Sequence, residues 1–123
     1  MLFYIKMWKV LLYTTEKGEN PVGDFIKSLS KKEEAKTYRE IDSLEQKGIY
    51  LNFPHTSDIY GSKGLMELRI KFSSNNVRII YFLHIKNTFI LLHGFRKKTQ
   101  RLSKKEMKIA KTRMEDYLKR KGD

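Results

Sequence analysis

The sequence predicts a mixed chain, with helices and strands held in separate stretches. Three observations carry that expectation. Capped, helix-periodic segments fill residues 21–47, alternating apolar strands fill 65–95, and a last helix-periodic segment runs through 104–120. A length of 123 residues suits one domain, 1–123, with a core of its own. Met7 is a second candidate start, which would leave residues 1–6 as a short N-terminal extension.

"MWKVLLYT" at 7–14 is rich in aromatic and β-branched residues and reads as a strand. Asn20-Pro21 then opens a helix at about 21–29: Asn caps, and Pro takes the first position, where its missing N–H costs nothing. Phe25, Ile26 and Leu29 supply its apolar face. "SKKE" occurs at 30–33 and again at 103–106, each time with Ser three residues before Glu, the spacing of a capping box. Ala35, Tyr38, Ile41 and Leu44 follow the first and predict a helix over 31–47, stopped by Gly48. Met107, Ala110, Met114 and Tyr117 follow the second and predict a helix over 104–120. Residues 49–64, with Pro54, Gly61 and Gly64, read as a loop.

In the β region, "LMELRIKF" sets Met66, Leu68, Ile70 and Phe72 on one face and Glu67, Arg69 and Lys71 on the other. "VRIIYFLHI" and "TFILLHGF" follow, after the turns "SSNN" and "KN". With Ser73–Asn76 as the first turn, Phe72 faces Val77, Lys71 faces Arg78 and Arg69 faces Ile80. With Lys86-Asn87 as the second, Ile80 faces His93 and Arg78 faces Phe95. Arg69, Lys71, Arg78, His93 and Phe95 then share a face.

The formal net charge of +12 bears on partners: phosphate polymers, anionic membranes or an acidic protein. The absence of cysteine excludes disulfides and thiolate metal sites and fits a reducing compartment, with the cytoplasm as default. Three scattered histidines have no metal-ligand spacing and no Gly-rich phosphate loop appears, so neither metal nor cofactor is expected. No apolar run approaches ~18 residues, so no membrane span is expected.

"LLHGFRKKTQRLSKKE" at 91–106 drives a core strand into Arg96, Lys97, Lys98, Arg101, Lys104 and Lys105 before the first acid, Glu106. These cations emerge beside Arg78, and clustered cations invite an anion. Plain structural accounts stand beside that one. Arg69 and Arg78 can lie on an exposed sheet face, or pair with Glu67 or a helix carboxylate. Lys104, Lys105, Lys108, Lys111 and Arg113 can be the solvated side of the last helix. A strand histidine such as His93 is more often packed than catalytic.

"GLMELRI" at 64–70, "VRIIYF" at 77–82 and "LLHGFRKKTQ" at 91–100, followed by "SKKEMKIAKTRMEDY", resemble the HigB-like branch of the RelE/ParE toxin superfamily, the toxins of bacterial toxin–antitoxin pairs. The resemblance covers about residues 7–120. It implies a compact α+β domain in which N-terminal helices pack on an antiparallel sheet and a C-terminal helix lies near the site. It also implies an mRNA interferase, a metal-independent endoribonuclease that cuts mRNA on the ribosome, neutralised by a helix-turn-helix, HigA-like antitoxin. Carried over by motif, Arg69, Arg78, Lys97 and Lys98 are the expected catalytic cations. Lys71, Arg96 and Arg101 are expected to hold RNA, and Glu67 or His93 to act as base. Met66 departs from the usual aromatic, and no Tyr closely follows the basic run. A ParE-like gyrase poison and a non-enzymatic RNA- or ribosome-binding module are the alternative readings.

Overall fold

The computed structural model describes residues 7–52, 54–72, 76–97 and 102–121. Lys98, Arg101 and most of the Ser73–Asn76 turn lie outside the described residues. The elements in order are β1 (Lys9–Leu12), α1 (Pro21–Lys27), α2 (Lys31–Lys47), a 3-10 turn (Gly48–Tyr50), β2 (Thr56–Asp58), β3 (Leu65–Lys71), β4 (Asn76–His84), β5 (Thr88–Lys97) and α3 (Lys104–Arg120). The strands form one five-stranded sheet in the order β1-β5-β4-β3-β2. All neighbours are antiparallel except β1 and β5, which run parallel with Lys9 facing Thr88. The fold is α+β, as the sequence predicts. Two details differ: one pairing is parallel, and a three-residue edge strand, β2, stands in the segment read as loop.

Helices cover both faces. Val22 and Ile26 of α1 and Leu44 of α2 pack on Leu68, Ile70, Ile79, Tyr81 and Leu91, all of them buried. Gly94 of β5 makes room for Phe25 of α1, since a Cβ there would sit 2.4 Å from the ring. On the other face α3 brings Ala110, Met107 and Met114 onto Ile80, Ile90, Leu92 and Phe95.

The two "SKKE" segments cap differently. The first forms a full capping box: Ser30 Oγ accepts from the Glu33 amide at 3.2 Å, and Glu33 Oε1 accepts from the Ser30 amide at 3.1 Å. Glu33 also takes both arms of the Arg96 guanidinium, at 2.6 and 2.7 Å. That fork draws Glu33 inward, and one turn later Thr37 is buried with its hydroxyl donating to the Glu33 carbonyl. The buried line of α2 therefore runs through Glu33, Thr37 and Leu44, while Ala35 and Tyr38, expected in the core, are exposed. At the second segment Ser103 Oγ still accepts from the Glu106 amide, but the Glu106 carboxylate turns to His93 instead.

The β3–β4 register differs from the expected one by two residues: Arg69 faces Arg78, Ile70 faces Val77 and Lys71 faces Asn76. An even shift keeps every side chain on its face. The β4–β5 pairs Ile80–His93 and Arg78–Phe95 are those the sequence predicts. They survive a three-residue turn, with Ile85 at φ 59°, because a bulge opposite Ile80 and Tyr81 restores the count. Leu92 is the extra residue, and both it and His93 turn toward α3.

The Arg96 fork, ahead of the opposing cost of burial, holds the Glu33 carboxyl down at about 2 against its ordinary 4.5. A carboxyl depressed on folding stabilises fully above its unfolded value and loses that contribution as pH falls through the folded one. The stability advantage of the wild type over Glu33→Gln is therefore expected to be full above about pH 4.5 and to shrink toward pH 2. Urea midpoints of both proteins across that range measure it, and a gap that stays constant would count against the fork.

Candidate active site

Side chains alternate along each strand, so beyond the apolar row Leu65, Phe82 and Ile90 the α3 face of the sheet carries three more rows. Glu67, Ile80 and His93 form one, Arg69, Arg78 and Phe95 the next, and Lys71, Asn76 and Lys97 the last. α3 packs on β5 and β4. A cleft of about 800 Å³ opens beside it, toward β2 and β3. Glu67 and Lys97 line the cleft from the sheet, Asp58 and Tyr60 from β2 and the turn after it, and Met107, Lys108 and Lys111 from α3.

Glu67 organises the polar part of this face. It is only 4 % exposed. Arg78 Nε donates to its Oε1 at 3.1 Å, Arg69 Nε lies 3.8 Å from the same oxygen, and Lys97 Nζ lies 4.0 Å from Oε2. One carboxylate thus stands against a cation from each of β3, β4 and β5. Arg78 departs from the expectation of an exposed donor. It is 5 % exposed, with a second nitrogen donating to the Val77 carbonyl at 3.2 Å. Burial lowers its pKa from the ordinary arginine value; Glu67 opposes the shift and Arg69 adds to it. Of the two structural accounts for this arginine, pairing with Glu67 is the one realised.

The remaining candidates separate. Lys71 is exposed at the end of β3. Arg96 projects from the opposite face, onto Glu33, and so stands apart from Lys71. His93 Nε2 lies 2.7 Å from Glu106 Oε1, and an Arg113 nitrogen lies 3.3 Å from its Nδ1. Arg113 can only donate, so Nδ1 accepts and Nε2 carries the proton toward Glu106. Burial lowers the His93 pKa, and the Glu106 contact opposes that. Both ring nitrogens are therefore engaged, with the ring stacked on Phe95 at 5.2 Å. Arg113, read as part of a solvated helix face, instead turns inward and donates to the Leu92 carbonyl at 2.9 Å. Lys104, Lys108 and Lys111 are exposed and line the cleft. Among the described residues no group of three or more histidine, aspartate or glutamate side chains could hold a metal. No described helix is long and apolar enough to cross a membrane.

The family described as Phage derived protein Gp49-like (DUF891) matches residues 24–115, a span that contains Glu67, Arg69, Arg78 and Lys97. The chain belongs to the Gp49-like family. No curated protein matches it. Gp49-like proteins are a RelE-like, toxin-like family of phage and toxin–antitoxin contexts, and membership implies an antitoxin partner.

In this Gp49-like chain the cleft's outer wall, Ser57 to Tyr60, is the part that sequence reasoning misses. Three residues are too few to establish a period, and Pro54 and Gly61 dominate the local signal. The inward turn of Arg113 had a faint signal, its place one turn beyond Ala110 on the buried stripe.

Arg78→Ala is expected to destabilise the fold by roughly 3 kcal/mol, because it strips the nearest partner from a buried carboxylate. Arg78→Met combined with Glu67→Gln removes both charges and is expected to recover most of that loss. Thermal unfolding of the single and double variants tests this. Equal stability of wild type and Arg78→Ala would show that the pair carries no net weight.

Proposed function

We propose that this Gp49-like chain is the HigB-like toxin of a toxin–antitoxin pair, a single-domain cytoplasmic endoribonuclease that cuts mRNA on the ribosome without a metal. One observation carries the reading: the buried Glu67 carboxylate, ringed by Arg69, Arg78 and Lys97, forms part of the wall of an open cleft. In metal-free RNA cleavage the 2′-oxygen attacks the adjacent phosphorus and the 5′-oxygen departs, leaving a 2′,3′-cyclic phosphate and a 5′-hydroxyl. Negative charge gathers on the phosphoryl oxygens. Preorganised donors aimed there are worth ~3–4 kcal/mol each.

Roles follow from what each described group can reach, while Lys98 and Arg101 keep the roles that the family resemblance implies. Lys97 faces the cleft and would meet the phosphoryl oxygens, with Lys98 beside it in sequence as a second donor. Glu67 is the better candidate of the two bases, since it lines the cleft while both nitrogens of His93 are engaged. Arg78 would act mainly through Glu67, fixing its orientation, and Arg69 would add positive potential from the same row. Lys71 and Arg101 would hold the RNA backbone. The antitoxin we propose is a helix-turn-helix, HigA-like protein encoded nearby.

Lys97→Ala is expected to lower cleavage ~10²–10³-fold. Message ends mapped in translating ribosomes, with thermal unfolding as the check on folding, decide it. Trapped gyrase–DNA breaks in place of new 5′ ends would favour a ParE-like poison, and ribosome binding with neither would leave a non-enzymatic module. Ribosome association is also expected to weaken with salt, each neutralised phosphate adding roughly 0.7–0.9 to the log–log slope. A flat response would remove the basic face as the docking surface.

A further inference from the structure

The turn between β2 and β3 presents one aromatic ring wholly to solvent. Tyr60 is 101 % exposed, and among the described residues no hydrogen bond or ring contact holds its side chain. Its backbone, in contrast, is built. The Ile59 amide donates to the Leu65 carbonyl at 3.1 Å and the Ser62 amide to the Ile59 carbonyl at 3.2 Å. The Ser62 hydroxyl donates to the Ile59 carbonyl at 2.7 Å and accepts from the Leu65 amide at 3.2 Å. Gly61 and Gly64 take the positive φ values, 80° and 88°, that let the chain close so tightly. A tied loop thus carries an unpacked ring at the wall of the cleft that also contains Glu67 and Lys97.

The cleft's other groups say what the ring is for. Lys97, Lys104, Lys108 and Lys111 suit a phosphate backbone. Asp58 and Glu115 also line it. Carboxylates repel phosphates but accept from the N–H groups on the edges of bases. Met107 adds a polarisable apolar surface. Cations, carboxylates and an exposed ring together match a nucleotide with its base turned into the cleft, rather than a bare polyanion.

We propose that Tyr60 is a base-stacking residue, which receives the base of a nucleotide next to the cleaved phosphate in single-stranded RNA. The inference rests on the RNA-cleaving reading above. An aromatic face accepts any base, so stacking would add affinity and positioning without selecting sequence by itself.

The test compares Tyr60→Ala, Tyr60→Phe and Tyr60→Trp in a translating-ribosome cleavage assay, with thermal unfolding of each protein. Tyr50→Ala, which alters an exposed tyrosine that does not line the cleft, is the control. Loss of a stacked base is expected to lower kcat/KM roughly 5- to 150-fold in Tyr60→Ala. Phe and Trp should restore it, the unfolding midpoints should stay together, and Tyr50→Ala should behave as wild type. Wild-type rates in Tyr60→Ala would overturn the proposal, as would a Phe variant no better than Ala, since the hydroxyl and not the ring would then matter. A wild-type protein that makes no new message ends would overturn the cleavage reading itself, and this inference with it.

Discussion

A carboxylate buried in a sheet is tolerated only when its charge is answered, and the answer given to Glu67 shapes this molecule. Leaving a buried ion unpaired is costly, and a buried pair repays its desolvation only when the geometry is good. Glu67 draws on Arg69, Arg78 and Lys97, one cation from each of three adjacent strands. The contact therefore ties the lateral order of the sheet to an electrostatic requirement. It also divides one face in two. Where Ile80, Ile90 and Leu92 line the sheet, α3 can close over it with Ala110. Where the charges stand, an apolar helix face cannot cover them, and the cleft is what remains.

Cations held by the fold around Glu67 are the feature a phosphate would exploit, because groups already in place need little reorganisation when charge develops beside them. The burial that makes Arg78 a firm support also makes it a poor direct donor to substrate. Lys97, at the end of β5 and facing the cleft, has the opposite balance. Support and reach thus fall on different residues of the same cluster.

Much of the fold is legible in the residues. The caps at Asn20, Ser30 and Ser103 mark three helix starts, and alternation in "LMELRIKF" assigns β3's faces correctly. Even the wrong β3–β4 register keeps the right face, because the error is an even number of residues. What escapes is long-range. Nothing local says that Arg96 will reach Glu33 across the domain, or that Tyr38 will consequently face water. Identical "SKKE" segments close two different networks because one lies under Arg96 and the other under His93. The candidate site is legible as a set of charges on one face. It is not legible as a buried carboxylate with its cations gathered round it, since strand alternation distinguishes faces but not depth.

The strand order also sets a timetable. β5 lies between β1 and β4, yet it is the last of the described strands in chain order. Lys9 must wait for Thr88 before β1 gains its partner, and Glu67 must wait for Lys97. Closing so long an interval is slow compared with forming the local hairpins. A chain emerging from its own ribosome therefore carries an unfinished centre until β5 has been made, with α3 the last described element to arrive.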